Sequence, residues 1–242
     1  MKKVCFYMMV VAIVLTTACN KDDDEPIIEP GPNQITITAQ NVNMTISVAG
    51  SGTMTIDWGD QTEIETVALR DYYQDGWQSY THAYSGNFMH TITLTGDNIE
   101  YLECNHQNIL VLDVSKSPSL TELHCGWNLL TGLDVSRNTA LTGLYCNINY
   151  LTDLDVSKNT ELYYLACHTN QLTKLDVSAN SKLRILYCEN NQLTSEALNA
   201  MFGTLHDNAI TGFTKVVGIT DNPGTNDCNA SIAENKGWSV VK

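Results

Sequence analysis

The sequence predicts a β-rich solenoid of stacked 21-residue units, with a β-domain before it and a mixed α/β cap after it. Two observations predict the solenoid, because one cysteine and one leucine each recur every 21 residues through the middle of the chain. A third observation, the alternation of apolar and polar residues over 34–97, predicts β-strands before the repeats. Hydrophobic residues make up 43% of the 242-residue chain, which is enough to build a core.

The chain starts with a segment typical of an export signal. Lys2 and Lys3 precede an apolar stretch at 4–15, which is short for a membrane span. The motif Leu15-Thr16-Thr17-Ala18-Cys19 resembles the lipobox of bacterial lipoproteins, which implies that Cys19 is lipidated. The acidic run that follows resembles the tag that directs some lipoproteins to the outer face of the outer membrane. An ordinary cleaved signal followed by a solvated charge run is the alternative.

These signals divide the chain into five segments. We predict a lipoprotein signal peptide at 1–18 and an acylated cysteine with an acidic, proline-containing tether at 19–33. The β-domain then occupies 34–97, the repeats occupy 98–194, and the cap occupies 195–242. The predicted location is the outer membrane, with the protein anchored by lipid and facing the cell exterior.

The repeated unit reads L-x-x-L-x-C-x-x-N-x-L-T-x-L-D-V-S-x-N-x-x. Five copies, of which the last diverges, resemble the leucine-rich repeat family. In x-Leu-x-Cys-x the side chains alternate, so leucine and cysteine point inward in each predicted strand. The asparagine after the strand is predicted to bond backbone groups of the loops, forming a ladder. The predicted ladder positions are Cys104, Cys125, Cys146, Cys167, Cys188, Asn128, Asn149, Asn170 and Asn191, with Gln107 in the first unit.

The cysteine column is predicted to consist of buried free thiols. Neighbouring strands lie about 4.8 Å apart, whereas a disulfide needs Cβ atoms about 3.5–4.5 Å apart. A zinc site is the alternative to free thiols, but the chain has no Cys-x-x-Cys pair, and the inward-facing neighbours of the cysteines are leucines. We therefore predict no metal and no cofactor, and the state of Cys228 stays open.

The β-domain carries Asp57-Trp58-Gly59-Asp60, then His82-Ala83-Tyr84, then a Thr-Ile-Thr-Leu-Thr strand at 91–95. These motifs resemble the polycystic-kidney-disease (PKD) type of immunoglobulin-like domain, which implies a β-sandwich that serves as a spacer. The acids Asp57, Asp60 and Glu63 fit either a Ca²⁺ site or loop-fixing hydrogen bonds, and we favour the hydrogen bonds.

The cap begins where the last repeat diverges. Thr194 or Ser195 is predicted to cap a helix whose apolar face runs from Ala197 to Leu205. A strand at 216–219 and a final helix-turn-strand follow. This order resembles the tails of bacterial surface leucine-rich repeat lipoproteins.

The sequence favours a non-enzymatic protein. Asp plus Glu total 27 against 13 Lys plus Arg, and the net charge of −14 argues against binding nucleic acid. His124 precedes Cys125 and His168 follows Cys167, but adjacent residues of a strand point to opposite faces, so neither pair forms a catalytic dyad. A hydrolase built on Glu122 and a neighbouring residue is the enzymatic alternative.

The outward positions of the predicted strands form a concave face rich in aromatic residues. Such a face is typical of a recognition surface, although aromatic residues also simply favour strands. We predict that it binds an extracellular protein or peptide, in adhesion or recognition. A glycan-binding accessory lipoprotein and a structural spacer or adhesion module are the alternatives. The predicted ligand-binding residues are Tyr101, Glu103, Glu122, His124, Trp127, Tyr145, Asn147, Tyr164, His168, Tyr187 and Glu189.

Overall fold

The structure is a computed structural model that describes residues 33–209 and 212–242. The predicted signal peptide, the lipidation of Cys19 and all but the last residue of the tether lie outside the described residues. Within the described ranges, no helix has the length and apolar character needed to cross a membrane.

The N-terminal part of the described chain consists of five strands and one short helix. Alternate residues of the first strand are buried, among them Ile35 and Ile37 at 0% exposure, because successive side chains of a strand point to opposite faces. The elements are β1 (Asn33–Gln40), β2 (Asn43–Asp57), β3 (Glu65–Ala68), α1 (Tyr72–Asp75), β4 (Gln78–Ala83) and β5 (Met89–Glu103).

Strand β5 links this part to the repeats. Its first half lies between β1 and β2 in antiparallel pairing, and its last residues, Tyr101 to Glu103, pair with the first strand of the stack in parallel. The predicted domain boundary at residue 97 falls inside β5. The register of β2 against β5 shifts at Gly50, where a Cβ would lie 2.0 Å from the Asn98 carbonyl oxygen. Hydrogen bonding is therefore continuous from the N-terminal strands into the repeats.

The repeats form a β-solenoid with one short strand per unit. Leu123, Leu144, Leu165 and Leu186 pair with one another in register, as the 21-residue spacing predicts. Between residues 104 and 194, all of which the structure describes, no helix is present. The elements are β6 (Ile109–Lys116), which pairs with β1, and the stacked strands β7 (Glu122–His124), β8 (Gly143–Tyr145), β9 (Tyr164–Ala166), β10 (Ile185–Tyr187), β11 (Lys215–Gly218) and β12 (Trp238–Val241).

The cap closes the stack with two more parallel strands and two helices, α2 (Ser195–Thr204) and α3 (Ser231–Glu234). Thr194 caps α2, because its hydroxyl accepts a hydrogen bond from the Ala197 amide. The Lys215 amine is buried and donates to three backbone carbonyls, those of His206, Asn208 and Lys236. This bonding holds the end of the cap together.

The five repeat cysteines are free and have 0% exposure. Burial in an apolar column raises the pKa of each thiol, to about 12 for Cys146, because the thiolate loses its hydration. Cys228 is also free and is 7% exposed. The cysteines therefore act as small apolar side chains of the core.

We expect the ladder thiols to react with iodoacetamide only after unfolding. At pH 8 a thiol of raised pKa stays protonated, and the buried sulfur is also out of reach of the reagent. Mass spectrometry of digested protein should find peptides with Cys125 and Cys146 unlabelled before urea treatment and labelled after it. Labelling of these peptides in the folded protein at the rate of the urea-treated sample would contradict the buried column.

The asparagines after the strands form the predicted ladder. The Asn149 amide nitrogen donates to the carbonyls of Cys125 (3.0 Å) and Cys146 (3.1 Å), and its oxygen accepts from the Leu130 amide (3.0 Å). In the first unit the Gln107 oxygen instead accepts from the Thr45 amide of β2, which joins the ladder to the N-terminal strands. In the cap, Asn222 adds a rung outside the 21-residue spacing by bonding Cys188 and Asn191.

A second asparagine ladder runs along the other edge of the units, and our sequence analysis did not recognise it. Asn138, Asn159 and Asn180 are at most 1% exposed. Each donates to two carbonyls of the preceding unit, as Asn159 does to Val135 and Asn138, both at 2.9 Å. Their side-chain oxygens are buried without a partner. Each unit is therefore bonded to the previous one at both edges.

Candidate ligand-binding face

The outward positions of the parallel strands form a face with a continuous line of aromatic rings. The rings that come from the strands lie beside a buried leucine of the same strand and point away from the core, because side chains alternate along a strand. We call the line the aromatic row and the surface the open face. The aromatic row comprises Tyr72, Trp77, Tyr101, His124, Tyr145, Tyr164 and Tyr187.

The central rings of the row stack on one another. His124 and Tyr145 have ring centroids 4.0 Å apart with 14° between their planes, and Tyr145 and Tyr164 are 4.6 Å apart at 24°. Stacked neighbours cover each other's faces, so these rings offer mainly edges and polar atoms to a ligand. At the C-terminal end of the row the parallel stacking stops, because the ring planes of Tyr164 and Tyr187 lie at 75° to each other, edge to face.

Two members of the row, Tyr72 and Trp77, were missed by the sequence analysis. They come from the connection between β3 and β4, and their rings stack on Tyr101 at 4.9 and 5.5 Å. Tyr101, a predicted binding residue, is consequently only 3% exposed, whereas Trp77 is 49% exposed. Three aromatic residues close together in this otherwise polar connection were the sequence feature that could have indicated their place in the row.

Two predicted carboxylates lie beside the row and are bonded to it. Glu103 accepts hydrogen bonds from the Tyr101 hydroxyl (3.3 Å) and the Asn105 amide (3.2 Å). Glu122 accepts from the Thr142 hydroxyl (3.1 Å) and lies 3.6 Å from the imidazole of His124. Both side chains are therefore positioned by neighbours of the open face.

The third predicted carboxylate, Glu189, differs from these two. Its Oε2 atom is buried and has no hydrogen-bond partner. Glu122 and Glu189 both lie against glycines, since a Cβ on Gly143 or Gly218 would come within 2.0 Å of a carboxylate oxygen. Glycine at these two positions therefore makes room for the acids on the sheet surface.

The open face carries carboxylates, and its strand segments offer no lysine or arginine to pair with them. The strand segments 101–103, 122–124, 143–145, 164–166 and 185–187 contain no lysine or arginine. Burial is the main cause of the raised pKa of Tyr145, and the charge of Glu122 raises that pKa further. Tyr145 therefore stays protonated and carries a hydroxyl group at neutral pH.

The remaining predicted residues lie at the edge of the face. Trp127 is 52% exposed, stacks on His106 at 4.7 Å and has a left-handed backbone with φ 57°. Asn147 and His168 are partly exposed one residue beyond the strand cysteines. His168 lines a cavity of about 440 Å³ at the C-terminal end of the face. All the predicted residues thus fall on or beside one face, and Tyr101 alone is buried within it.

The residues that resemble the PKD-type domain lie together in the N-terminal part. Trp58 is 1% exposed, and its carbonyl accepts a hydrogen bond from the Tyr84 hydroxyl (2.9 Å). Asp60 bonds Thr62 and lies 2.8 Å from His82, and these bonds lower the pKa of Asp60 to about 2. Asp57 accepts from the Gly59 amide (2.9 Å), so both aspartates bond the loop.

The structure brings no nucleophile together with a base at the pairs considered from sequence. Cys125 and Cys167 are 0% exposed in the core, whereas His124 and His168 are partly exposed on the face or at its edge. Among the described residues, no group of three or more His, Cys, Asp or Glu side chains is placed to hold a metal ion.

The register of the stacked strands and the repeated unit identify the architecture. The chain folds as a β-solenoid of stacked 21-residue repeats. No family model and no curated protein matches the sequence.

Solved structures similar to the chain include three bacterial proteins. The functional domain of InlJ from Listeria monocytogenes, described as including a cysteine ladder, is 27% identical over 59% of this chain and 30% of its own, with a TM-score of 0.47. The internalin InlF from Listeria monocytogenes is 25% identical over 53% and 36%, with a TM-score of 0.45. A leucine-rich-repeat protein from Leptospira interrogans is 18% identical over 53% and 38%, with a TM-score of 0.35. The chain thus matches between 30% and 38% of the length of these proteins.

Proposed function

We propose that this protein is a non-enzymatic cell-surface lipoprotein that binds an extracellular protein or peptide through the open face of its solenoid. The observation that carries the proposal is the aromatic row, which crosses successive strands on one uncovered sheet surface. Tyrosine and tryptophan combine a large apolar area with a polar group, and they are enriched among residues that dominate protein interfaces. Tyr145 and Tyr187 lie on the row and are partly exposed.

The stacking within the row favours a protein ligand over a glycan. A sugar ring packs against the open face of an aromatic ring, but the central rings of the row cover each other at centroid distances of 4.0 and 4.6 Å. What these rings leave for a ligand is edges, tyrosine hydroxyls and the adjacent carboxylates. Such groups suit the backbone and side chains of a peptide. A glycan-binding accessory lipoprotein and a structural spacer are the competing functions.

The location in this proposal rests on sequence alone. The lipobox-like motif at Cys19 and the acidic run after it support a lipid anchor in the outer membrane, facing outward. The segment 34–97 would then be a PKD-like β-sandwich spacer between the tether and the repeats of 98–194. The cap at 195–242 would protect the far end of the stack.

The test is capture of partners by the full chain, solubilised in detergent and immobilised. The mixture contains extracellular proteins and mucin-type glycoconjugates. The bait is wild type, the row variant Tyr145→Ala/Tyr187→Ala, or the control variant Tyr150→Ala/Tyr163→Ala. The control removes two exposed tyrosines, 49% and 39% exposed, that lie outside the row. Circular dichroism and thermal unfolding establish that each variant is folded.

The expected result is a protein retained by wild type and control and lost by the folded row variant. Equal retention by all three baits would remove the binding site from the open face. Retention of glycoconjugates alone would favour the glycan alternative, and capture of nothing would favour the spacer.

A further inference from the structure

The rings of the aromatic row repeat at the spacing of the strands that carry them. Each stacked strand from β5 to β10 contributes one outward ring, and neighbouring strands lie about 4.8 Å apart. Equivalent positions on every second strand are therefore about 9.6 Å apart. These positions fall on β5, β8 and β10, which carry Tyr101, Tyr145 and Tyr187, and Trp77 stacks on the first of them. A regular peptide that runs along the row must match this spacing.

A polyproline II helix matches the row better than the other regular peptide conformations. It has three residues per turn and rises about 3.1 Å per residue, so one side repeats about every 9.3 Å. An α-helix repeats about every 5.4 Å and is out of register by about 2.4 Å after four strand spacings. Side chains on one face of a β-strand repeat about every 6.6 Å, which equals neither one nor two spacings. Seven residues of polyproline II span about 19 Å, close to the distance from β5 to β10.

The groups that the row offers to a ligand are hydroxyl donors and ring edges. The Tyr101 hydroxyl is already bonded to Glu103. Within the described ranges, the hydroxyls of Tyr145, Tyr164 and Tyr187 bond no other group of the chain. The central rings cover each other's faces at centroid distances of 4.0 and 4.6 Å, and the edges that they present carry the positive part of the ring quadrupole. Donors and positive edges together favour a ligand rich in hydrogen-bond acceptors.

A proline-rich segment is a ligand of this kind. Proline has a backbone carbonyl and no N–H group, so it brings acceptors without donors. Polyproline II forms no internal hydrogen bonds, which leaves its carbonyls free to accept. The segment is also extended before it binds, so it loses little conformational entropy on the face. Aromatic-lined surfaces bind polyproline II segments in other proteins by the same principle.

We propose that the ligand of the open face is a proline-rich segment of the protein partner, bound as a polyproline II helix along the aromatic row. This inference rests on the function proposed above and specifies the chemistry of its ligand. Every third residue of the segment packs on the row, at Trp77, Tyr145 and Tyr187. Trp77 is 49% exposed and gives the first turn its largest apolar contact. The free tyrosine hydroxyls donate to carbonyls of the segment.

The first experiment measures the binding of fluorescein-labelled peptides to the full chain in detergent by fluorescence anisotropy. The probes are heptaproline made of L-proline, heptaproline made of D-proline, and a glycine–serine peptide of the same length. D-proline keeps the composition and stiffness of the peptide but reverses the hand of its helix. We expect L-heptaproline to bind roughly tenfold more tightly than either control, the effect of one or two hydrogen bonds. Triproline, which makes a single turn, should bind more weakly than heptaproline.

Tyrosine variants locate the binding on the row. The row variant Tyr145→Ala/Tyr187→Ala should lose the preference for L-heptaproline. The control variant Tyr150→Ala/Tyr163→Ala should keep it, because these exposed tyrosines lie outside the row. Tyr145→Phe removes only a hydroxyl and should weaken binding roughly threefold, as the loss of one hydrogen bond predicts.

Trp77 is tested against an aromatic control from the same part of the chain. Trp77→Ala should weaken the binding of L-heptaproline roughly threefold, because it removes the apolar contact of the first turn. Phe88→Ala should leave this binding unchanged, since Phe88 is 66% exposed in the connection before β5 and is not part of the row. Circular dichroism establishes that both variants are folded.

Equal binding of L-heptaproline, D-heptaproline and the glycine–serine peptide would overturn the inference. Equal weakening by the row variant and the control variant would also overturn it, since binding would then not depend on the row. The capture experiment separates this inference from the proposed function. If wild type captures a protein that the row variant loses, but does not bind L-heptaproline, the open face stands as the binding site and the proline-rich ligand is rejected. A partner retained by the row variant rejects the proposed function itself.

Discussion

We expect Asn149→Ala to lower the free energy of unfolding by about 3 kcal/mol, at roughly 1 kcal/mol for each of the hydrogen bonds it removes. The side chain donates to the carbonyls of Cys125 and Cys146 and accepts from the Leu130 amide, and these groups are buried within the stack. Water cannot replace the lost partners without opening the stack. Urea unfolding followed by circular dichroism measures the change.

Asn147→Ala is the matched control, because it makes the same chemical change two residues away on a partly exposed side chain. We expect it to cost less than about 0.5 kcal/mol, as is usual for surface substitutions. Asn159→Ala should fall between the two, since Asn159 makes two ladder bonds but leaves its own oxygen buried without a partner. Similar losses for Asn147→Ala and Asn149→Ala would contradict the ladder as the source of stability.

We expect Trp58→Ala to lower the free energy of unfolding by about 3–5 kcal/mol, as for other large-to-small changes at fully buried aromatic residues. Trp58 is 1% exposed, and its indole N–H donates to Glu65 at 2.7 Å. Because β5 belongs to both the N-terminal strands and the stack, the loss should extend to the solenoid. Reaction of the Cys146 thiol in intermediate urea reports the solenoid, and hydrogen exchange of the backbone amides of β1 and β4 reports the N-terminal part.

Trp77→Ala is the control for this variant, since Trp77 is 49% exposed. Its expected effect on stability is below about 1 kcal/mol. In Trp58→Ala the two probes should shift to lower urea together. A shift in the hydrogen exchange of β1 and β4 alone, with the thiol of Cys146 protected as in wild type, would mean that the two parts unfold independently.

The solenoid was predictable because its two periods reinforce each other. Alternation within x-Leu-x-Cys-x assigns the inward side, and the 21-residue spacing brings equivalent residues such as Leu144 and Leu165 into register. The second ladder was present in the same repeat but went unrecognised. An asparagine such as Asn159, close behind an aspartate and a serine, has the composition of a solvated turn, and its burial comes only from the stacking of whole units.

The candidate site was predictable in outline and not in detail. Strand alternation placed Tyr101 on the outward side, and it does stack with the row there. Nothing local to that strand indicates that Tyr72 and Trp77, from a connection more than twenty positions earlier, cover it. The position of the Glu189 carboxylate was equally hidden, because its Oε1 atom lies against Gly218 in a strand outside the regular spacing.

The two asparagine ladders make neighbouring units interchangeable. Asn149 and Asn170 bond to backbone groups at the same sequence offsets. Adjacent central units are therefore joined by equivalent hydrogen bonds. Duplication or loss of one such segment, for example 141–161, would restore the same hydrogen bonds between units. It would change the length of the open face by one strand spacing, about 4.8 Å. Gln107 and Asn222 form the two ends of the first ladder, so the number of central units can change while both ends stay unchanged.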